Sequence, residues 1–128
     1  MAKTMKIEIG AVVAEAELNE TRTARLIWDG LPVSAQVNTW GEEIYFEIPV
    51  KADLEDAVDL VNIGDIGYWP RGSAFCIFFG PTPLSRGNEI KPASPVNPVG
   101  KIRGDALIFR SVTDGESIRL SRADSASG

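Results

Sequence analysis

Histidine is missing altogether from the 128-residue chain. The most common general base and a frequent metal ligand are thereby removed from any chemistry the protein performs. Cysteine occurs once, at Cys76, so no disulfide can form within the chain, and a single thiol in an apolar run fits a reducing compartment. With no histidine to activate it, Cys76 reads as a buried, inert thiol rather than a nucleophile. Positive charge is also in deficit: 13 Lys and Arg face 18 Asp and Glu, for a net charge of −5. That balance disfavours nucleic acid and anionic lipid as partners. Met1-Ala2-Lys3-Thr4 is not followed by the long apolar core of a signal peptide, so a cytoplasmic location is expected. Asn19-Glu20-Thr21 and Arg103-Gly104-Asp105 therefore carry no weight as glycosylation or adhesion motifs.

Two further ligand classes lack their signatures. Gly64, Gly67 and Gly72 match neither phosphate-binding fingerprint. Asp53, Glu55, Asp56 and Asp59 lack the central glycine and terminal glutamate of a calcium loop and read as a solvated turn. Neither a cofactor nor a metal is expected. Glu42, Glu43 and Glu47 supply carboxylates for acid–base work, but a single strand does not show that two of them face one substrate.

What is present is a chain of one-domain length, 44% hydrophobic and 24% charged, as in ordinary globular proteins. Its most informative stretch is Gly64–Pro83, GDIGYWPRGSAFCIFFGPTP. Glycines and Pro70-Arg71-Gly72 predict a tight turn carrying Tyr68 and Trp69, either a core corner or a pocket rim. The apolar run from Ala74, stopped by Gly80-Pro81, predicts a buried strand over 74–80.

Along the rest of the chain, two-residue alternation predicts a hairpin of strands 5–9 and 12–18, then strands 33–39 and 42–48 broken at Trp40-Gly41. Between the pairs, Asn19 reads as a helix cap. Ala24, Ile27, Trp28 and Leu31 recur at helical spacing, and Gly30 with Pro32 ends the segment, giving a helix near 20–29. Residues 58–63 form at most an irregular strand. Five of the eight prolines fall in 81–98, which reads as a long surface loop of a kind often functional. Strands are expected at 99–103 and 117–122, with a short helix over 105–112. The fold class is mainly β, a small barrel or sandwich with one main helix, as a single domain over 1–122 and a flexible tail over 123–128.

Four segments in order, Val37-Asn38-Thr39-Trp40-Gly41-Glu42-Glu43-Ile44-Tyr45-Phe46, Ile63-Gly64-Asp65-Ile66-Gly67-Tyr68-Trp69-Pro70, Cys76-Ile77-Phe78-Phe79-Gly80 and Val96-Asn97-Pro98-Val99-Gly100-Lys101-Ile102, resemble the small prokaryotic cyclophilin-like proteins of unassigned function. The resemblance implies a closed barrel of about eight strands with the helix capping an end. Laid on true cyclophilins, which are prolyl isomerases, Glu47 falls at the catalytic arginine, Ala74 at a substrate-binding glutamine, and Cys76 at an aromatic of the proline pocket. Near Val96-Asn97 those enzymes carry a histidine, and this chain has none. Lowering the roughly 18–20 kcal/mol barrier of an X–Pro bond needs a donor aimed at the prolyl nitrogen, and a carboxylate offers none.

With Phe46, Ile48, Phe75 and Ile77 inside the barrel, Tyr45, Glu47, Ala74, Cys76 and Phe78 share its outer face. There Trp40, Tyr45, Glu47, Tyr68, Trp69, Cys76 and Phe78 are the candidate ligand-binding residues. The alternative for Glu47 is a solvated carboxylate beside surface aromatics. The leading expectation is a binding module for a small amide-bearing molecule or a peptide, without isomerase activity. Enzymes or accessory subunits acting on small cyclic amides, as the wider superfamily suggests, and residual isomerase or chaperone activity are the alternatives. Edge strands or an aromatic rim leave a homodimer open.

Overall fold

The computed structural model describes residues 3–123. Nine strands, β1 (Lys3–Ile9), β2 (Val12–Leu18), β3 (Val33–Gln36), β4 (Asn38–Thr39), β5 (Glu43–Glu47), β6 (Asp65–Trp69), β7 (Ala74–Phe78), β8 (Asn97–Arg103) and β9 (Ser117–Arg122), form one sheet. Their order across it is β3-β9-β1-β2-β8-β6-β7-β5-β4, and every pairing is antiparallel. The stretch expected as one strand over 33–39 is divided at Val37, whose backbone bonds instead to Glu116 and Gly115. One part pairs with β9 and the other with β5, so consecutive residues join the two edges of the sheet and nearly close the barrel.

Alternation decides what fills it. Met5, Ile7, Ile9, Ala14, Ala16 and Leu18 of the opening hairpin point inward with Ile44, Phe46, Ile48, Phe75, Ile77 and Val99. The helix α1 (Arg22–Asp29) adds Ala24 and Ile27 to this core. Its cap is Thr21 rather than Asn19: Thr21 Oγ1 accepts from Ala24 N at 3.2 Å, while Asn19 Oδ1 accepts from the Thr21 amide and hydroxyl. Asn19 thus stands one layer behind the cap and orients it. A 3₁₀ segment over Ala106–Ser111 contributes Ala106 and Phe109 to the same core. Of the tail expected over 123–128, residues 124–128 lie outside the described residues, and Ala123 is held to β1 by a hydrogen bond to Thr4 O. Among the described residues no helix is long and apolar enough to cross a membrane.

The larger correction concerns residues 65–69. They form a central strand, β6, between β8 and β7, with Gly64 in the bend before it and Pro70–Gly72 making the turn after it. Glycine at position 67 answers a close approach: a Cβ there would stand 2.8 Å from Val96 Cγ2. A bulge in the β6–β8 pairing between Ile66 and Gly67 admits Pro98, which has no amide to give to a regular ladder.

All five residues of β7 are buried because the strand has a core on both sides. Outside the barrel wall, Ala74, Cys76 and Phe78 pack with Val61, Ile90 and Val96 in a second cluster. Two isolated bridges, Val58 to Val96 and Val61 to Ile90, hold these loop segments over the wall. The proline-rich loop is braced internally by Thr82, Ser85 and Lys91.

Candidate functional site

At one margin of this outer cluster the covering segment stands off the wall and leaves a hollow of about 220 Å³. It is lined by Trp40, Glu43, Tyr45, Trp69 and Cys76 from the barrel side and by Pro92, Ala93, Ser94 and Val96 from the loop. Strand pairing sets the floor. Tyr45 of β5 lies opposite Cys76 of β7, which lies opposite Gly67 of β6; with no side chain at position 67, Val96 descends beside the thiol. Glu43, two residues before Tyr45, projects on the same face. A tight turn places Trp40 above it, with Trp40 N and Glu43 O at 2.9 Å and Glu43 N and Trp40 O at 3.2 Å. On the far side, Trp69 Nε1 donates to Ser94 Oγ and ties the loop to the barrel.

The walls are mainly apolar, and Glu43 is the one acid among the described residues that line them. Only 6% of it is exposed, and its Oε1 is buried without a hydrogen-bond partner. Burial pushes its carboxyl up to about 7, partly opposed by hydrogen bonding from the Cys76 thiol. The thiol is itself pushed well above its ordinary range, by burial first and by the neighbouring carboxylate second. Cys76 is therefore a neutral thiol, a weak donor next to an acid that exchanges its proton near neutrality.

Of the residues singled out from the sequence, Trp40, Tyr45, Trp69 and Cys76 line the hollow. Phe78 is fully buried in the outer cluster and does not line it. Glu47 lies further along β5, opposite Ala74, and is exposed: it is the solvated carboxylate of the alternative reading. Tyr68 is on the other side of the wall, because alternation on β6 turns Ile66 and Tyr68 inward and Gly67 and Trp69 outward. Its hydroxyl donates to Val50 O at 2.6 Å inside the protein. The Tyr68-Trp69 pair is thus one core corner and one rim. Glu43 was visible as a carboxylate on the Tyr45 face; nothing local marked it over Glu47. The contribution of residues 92–96 depends on how a long loop folds back, which periodicity does not encode.

Positions that carry chemistry in true cyclophilins are otherwise used. Asn97 is 1% exposed; it accepts from Glu55 N at 2.8 Å and donates to Thr23 Oγ1 at 3.1 Å and Asp53 O at 2.8 Å. Glu55 accepts from the Arg22 and Thr23 amides at 3.0 and 2.8 Å and from the Thr23 hydroxyl at 2.7 Å. These hydrogen bonds, the Thr23 hydroxyl first, hold its carboxyl below the ordinary range. Glu55 therefore anchors the 51–59 segment to the helix start. Among the described residues no group of three or more acidic or cysteine side chains is placed to hold a metal ion.

The family model described as cyclophilin-like matches residues 3–121, and the chain belongs to that family. The solution structure of the hypothetical protein AF2241 from Archaeoglobus fulgidus is similar to it with a TM-score of 0.81 and 40% sequence identity, covering 95% of each chain. A search among curated proteins found no match.

Proposed function

We propose that this member of the cyclophilin-like family is a binding module whose outer hollow takes a small amide-bearing molecule or the end of a peptide, without prolyl isomerase activity. Fold membership leaves the role open, so the reading rests on one observation: Glu43 lines an aromatic-walled hollow and its Oε1 is buried and unpaired. Leaving a buried acceptor unsatisfied costs about 1–3 kcal/mol, and an amide N–H supplies the missing donor. Trp40, Tyr45 and Trp69 offer flat faces for the rest of the ligand. Among the described residues neither arginine nor lysine lines the hollow, so nothing there offers the charged donor that isomerisation needs.

A second reading, catalysis on small amides, is favoured by the titration of Glu43 near 7, where general acids and bases work well. Cyclic amides and proline-containing peptides, screened by thermal shift and then for turnover, separate the two. Stabilisation without turnover is the expected result. Turnover that disappears in Glu43→Gln establishes the enzyme instead, and accelerated cis–trans exchange restores the isomerase. A screen in which no compound raises the melting temperature removes the binding reading.

A further inference from the structure

Besides Glu43, the polar groups lining the hollow are the Trp69 indole N–H, the Ser94 hydroxyl, the Cys76 thiol and the Tyr45 hydroxyl. Trp69 Nε1 is taken by Ser94, and the Cys76 thiol, beside Glu43 and 3.8 Å from Ala74 O, is a weak donor with a single proton to give. Among the described residues Glu43 alone carries a buried side-chain polar atom without a partner. The titratable groups facing the hollow with it are Cys76 on β7 and Tyr45 on its own strand; among the described residues no lysine, arginine or aspartate joins them. Nothing cationic therefore holds the carboxyl ionised, and apolar walls favour its neutral form. A neutral carboxylic acid carries an acceptor oxygen and an O–H donor side by side in one plane. The space fits one flat ring with substituents: about 220 Å³, against roughly 150 Å³ for a cavity that encloses benzene.

Resting on the reading of this hollow as a ligand site, we propose that its ligand is a flat, neutral ring with an N–H beside a carbonyl or ring-nitrogen acceptor, a lactam or pyrimidone type of edge. The ring pairs with the Glu43 carboxyl through two hydrogen bonds, its N–H donating to one oxygen and the acid O–H on the other donating to the ring acceptor. Trp40, Tyr45 and Trp69 cover the remaining faces. An amidinium is the competing occupant, since it also presents two groups to a carboxyl; it requires the ionised form, which these walls disfavour. The two ligand classes therefore respond to pH with opposite sign. A neutral donor–acceptor edge binds the protonated acid and weakens as pH rises through the Glu43 titration, whereas an amidinium strengthens.

The test titrates 2-pyridone, N-methyl-2-pyridone and benzamidinium into the full chain, following the indole N–H signals of Trp40 and Trp69 by NMR at about pH 5.5 and about pH 8.5. The expected result is that 2-pyridone shifts both indoles. Removing the N–H in N-methyl-2-pyridone should weaken binding about tenfold or more, the fold-change that leaving a buried acceptor unpaired implies. Binding of 2-pyridone should also fall by roughly tenfold or more from the lower pH to the higher. In Glu43→Gln the carboxamide offers the same acceptor and donor, so 2-pyridone should still bind, now without pH dependence. Equal binding of N-methyl-2-pyridone, preference for benzamidinium with affinity rising with pH, or loss of 2-pyridone binding in a folded Glu43→Gln overturns the pairing and leaves the hollow a ligand site. Failure of every probe and every screened amide to move either indole overturns the ligand site itself.

Discussion

Substituting Glu43 by glutamine should stabilise the protein above neutral pH and leave the balance at low pH unchanged. In the folded state the carboxyl titrates near 7, against an ordinary value of 4.5, chiefly because it is buried. Below the ordinary value it is protonated in folded and unfolded chains alike, so it adds no pH dependence. Between the two values the unfolded chain releases the proton while the folded one retains it. The stability present at low pH is then lost at about 1.4 kcal/mol per pH unit. Above the folded value the loss is complete, about 3 kcal/mol for a shift of this size. For a chain of this length that is roughly 10 °C in melting temperature.

Glutamine keeps the shape and has no charge to bury. Urea unfolding of the two proteins from about pH 4 to about pH 8 reads the effect directly. Groups such as Glu55, whose lowered titration pulls stability the other way at acid pH, are common to both proteins and cancel in the difference. The variant's advantage should grow across the window and level off above it. A difference independent of pH, or a wild type that gains on the variant as pH rises, would refute the account of Glu43 as a buried, uncompensated acid.

Other perturbations test the supports of the hollow. Gly67→Ala places a methyl 2.8 Å from Val96 Cγ2 and should cost about 1–3 kcal/mol in urea unfolding by overpacking; unchanged stability would mean that Val96 does not close over that position. Asn97→Ala leaves the Glu55 amide, the Thr23 hydroxyl and the Asp53 carbonyl without their partner and should cost roughly 2–4 kcal/mol. The same variant should speed amide exchange over residues 53–55, and full protection there would separate Asn97 from the anchor assigned to it. Cys76, 1% exposed with its thiol pushed up, should resist thiol reagents in the native state and react at the rate of opening. Labelling as fast as in the unfolded chain would contradict its position on the floor.

The elements most legible in the sequence are those governed by local rules. The opening hairpin follows from strict alternation, and α1 from its apolar spacing and Gly30, although the cap moved from Asn19 to Thr21 because both bear capping side chains two residues apart. Residues 64–69 were obscured by their glycines. Gly64, with φ at +93°, does belong to a bend, whereas Gly67 lies within a strand and yields to a neighbour 29 positions further along. A glycine required by a distant side chain and one required by a turn look alike in a sequence. The division of 33–39 was equally hidden, since alternation continues across Val37 while the hydrogen-bond partners change from one edge of the sheet to the other.

The same limit explains why Glu47 and Glu43 exchanged significance. Alternation places both on the outer face of β5, and the resemblance to true cyclophilins draws attention to Glu47 because it occupies the arginine position. What separates the two is the cover. The bridges from Val58 to Val96 and from Val61 to Ile90 lay loop segments over the wall, and the Trp69–Ser94 bond brings residues 92–96 to the hollow at Glu43, while Glu47 remains in solvent. In water a carboxylate is stabilised by hydration and selects little; under the loop it loses that hydration, titrates near neutrality and retains one oxygen without a partner. The chemistry of Glu43 is therefore set by long-range contacts that convert an ordinary strand glutamate into a buried acid with an unpaired oxygen. Shortening the 81–96 loop should accordingly return Glu43 to ordinary carboxylate behaviour without unfolding the barrel, whose inner core is separate from the outer cluster that the loop completes.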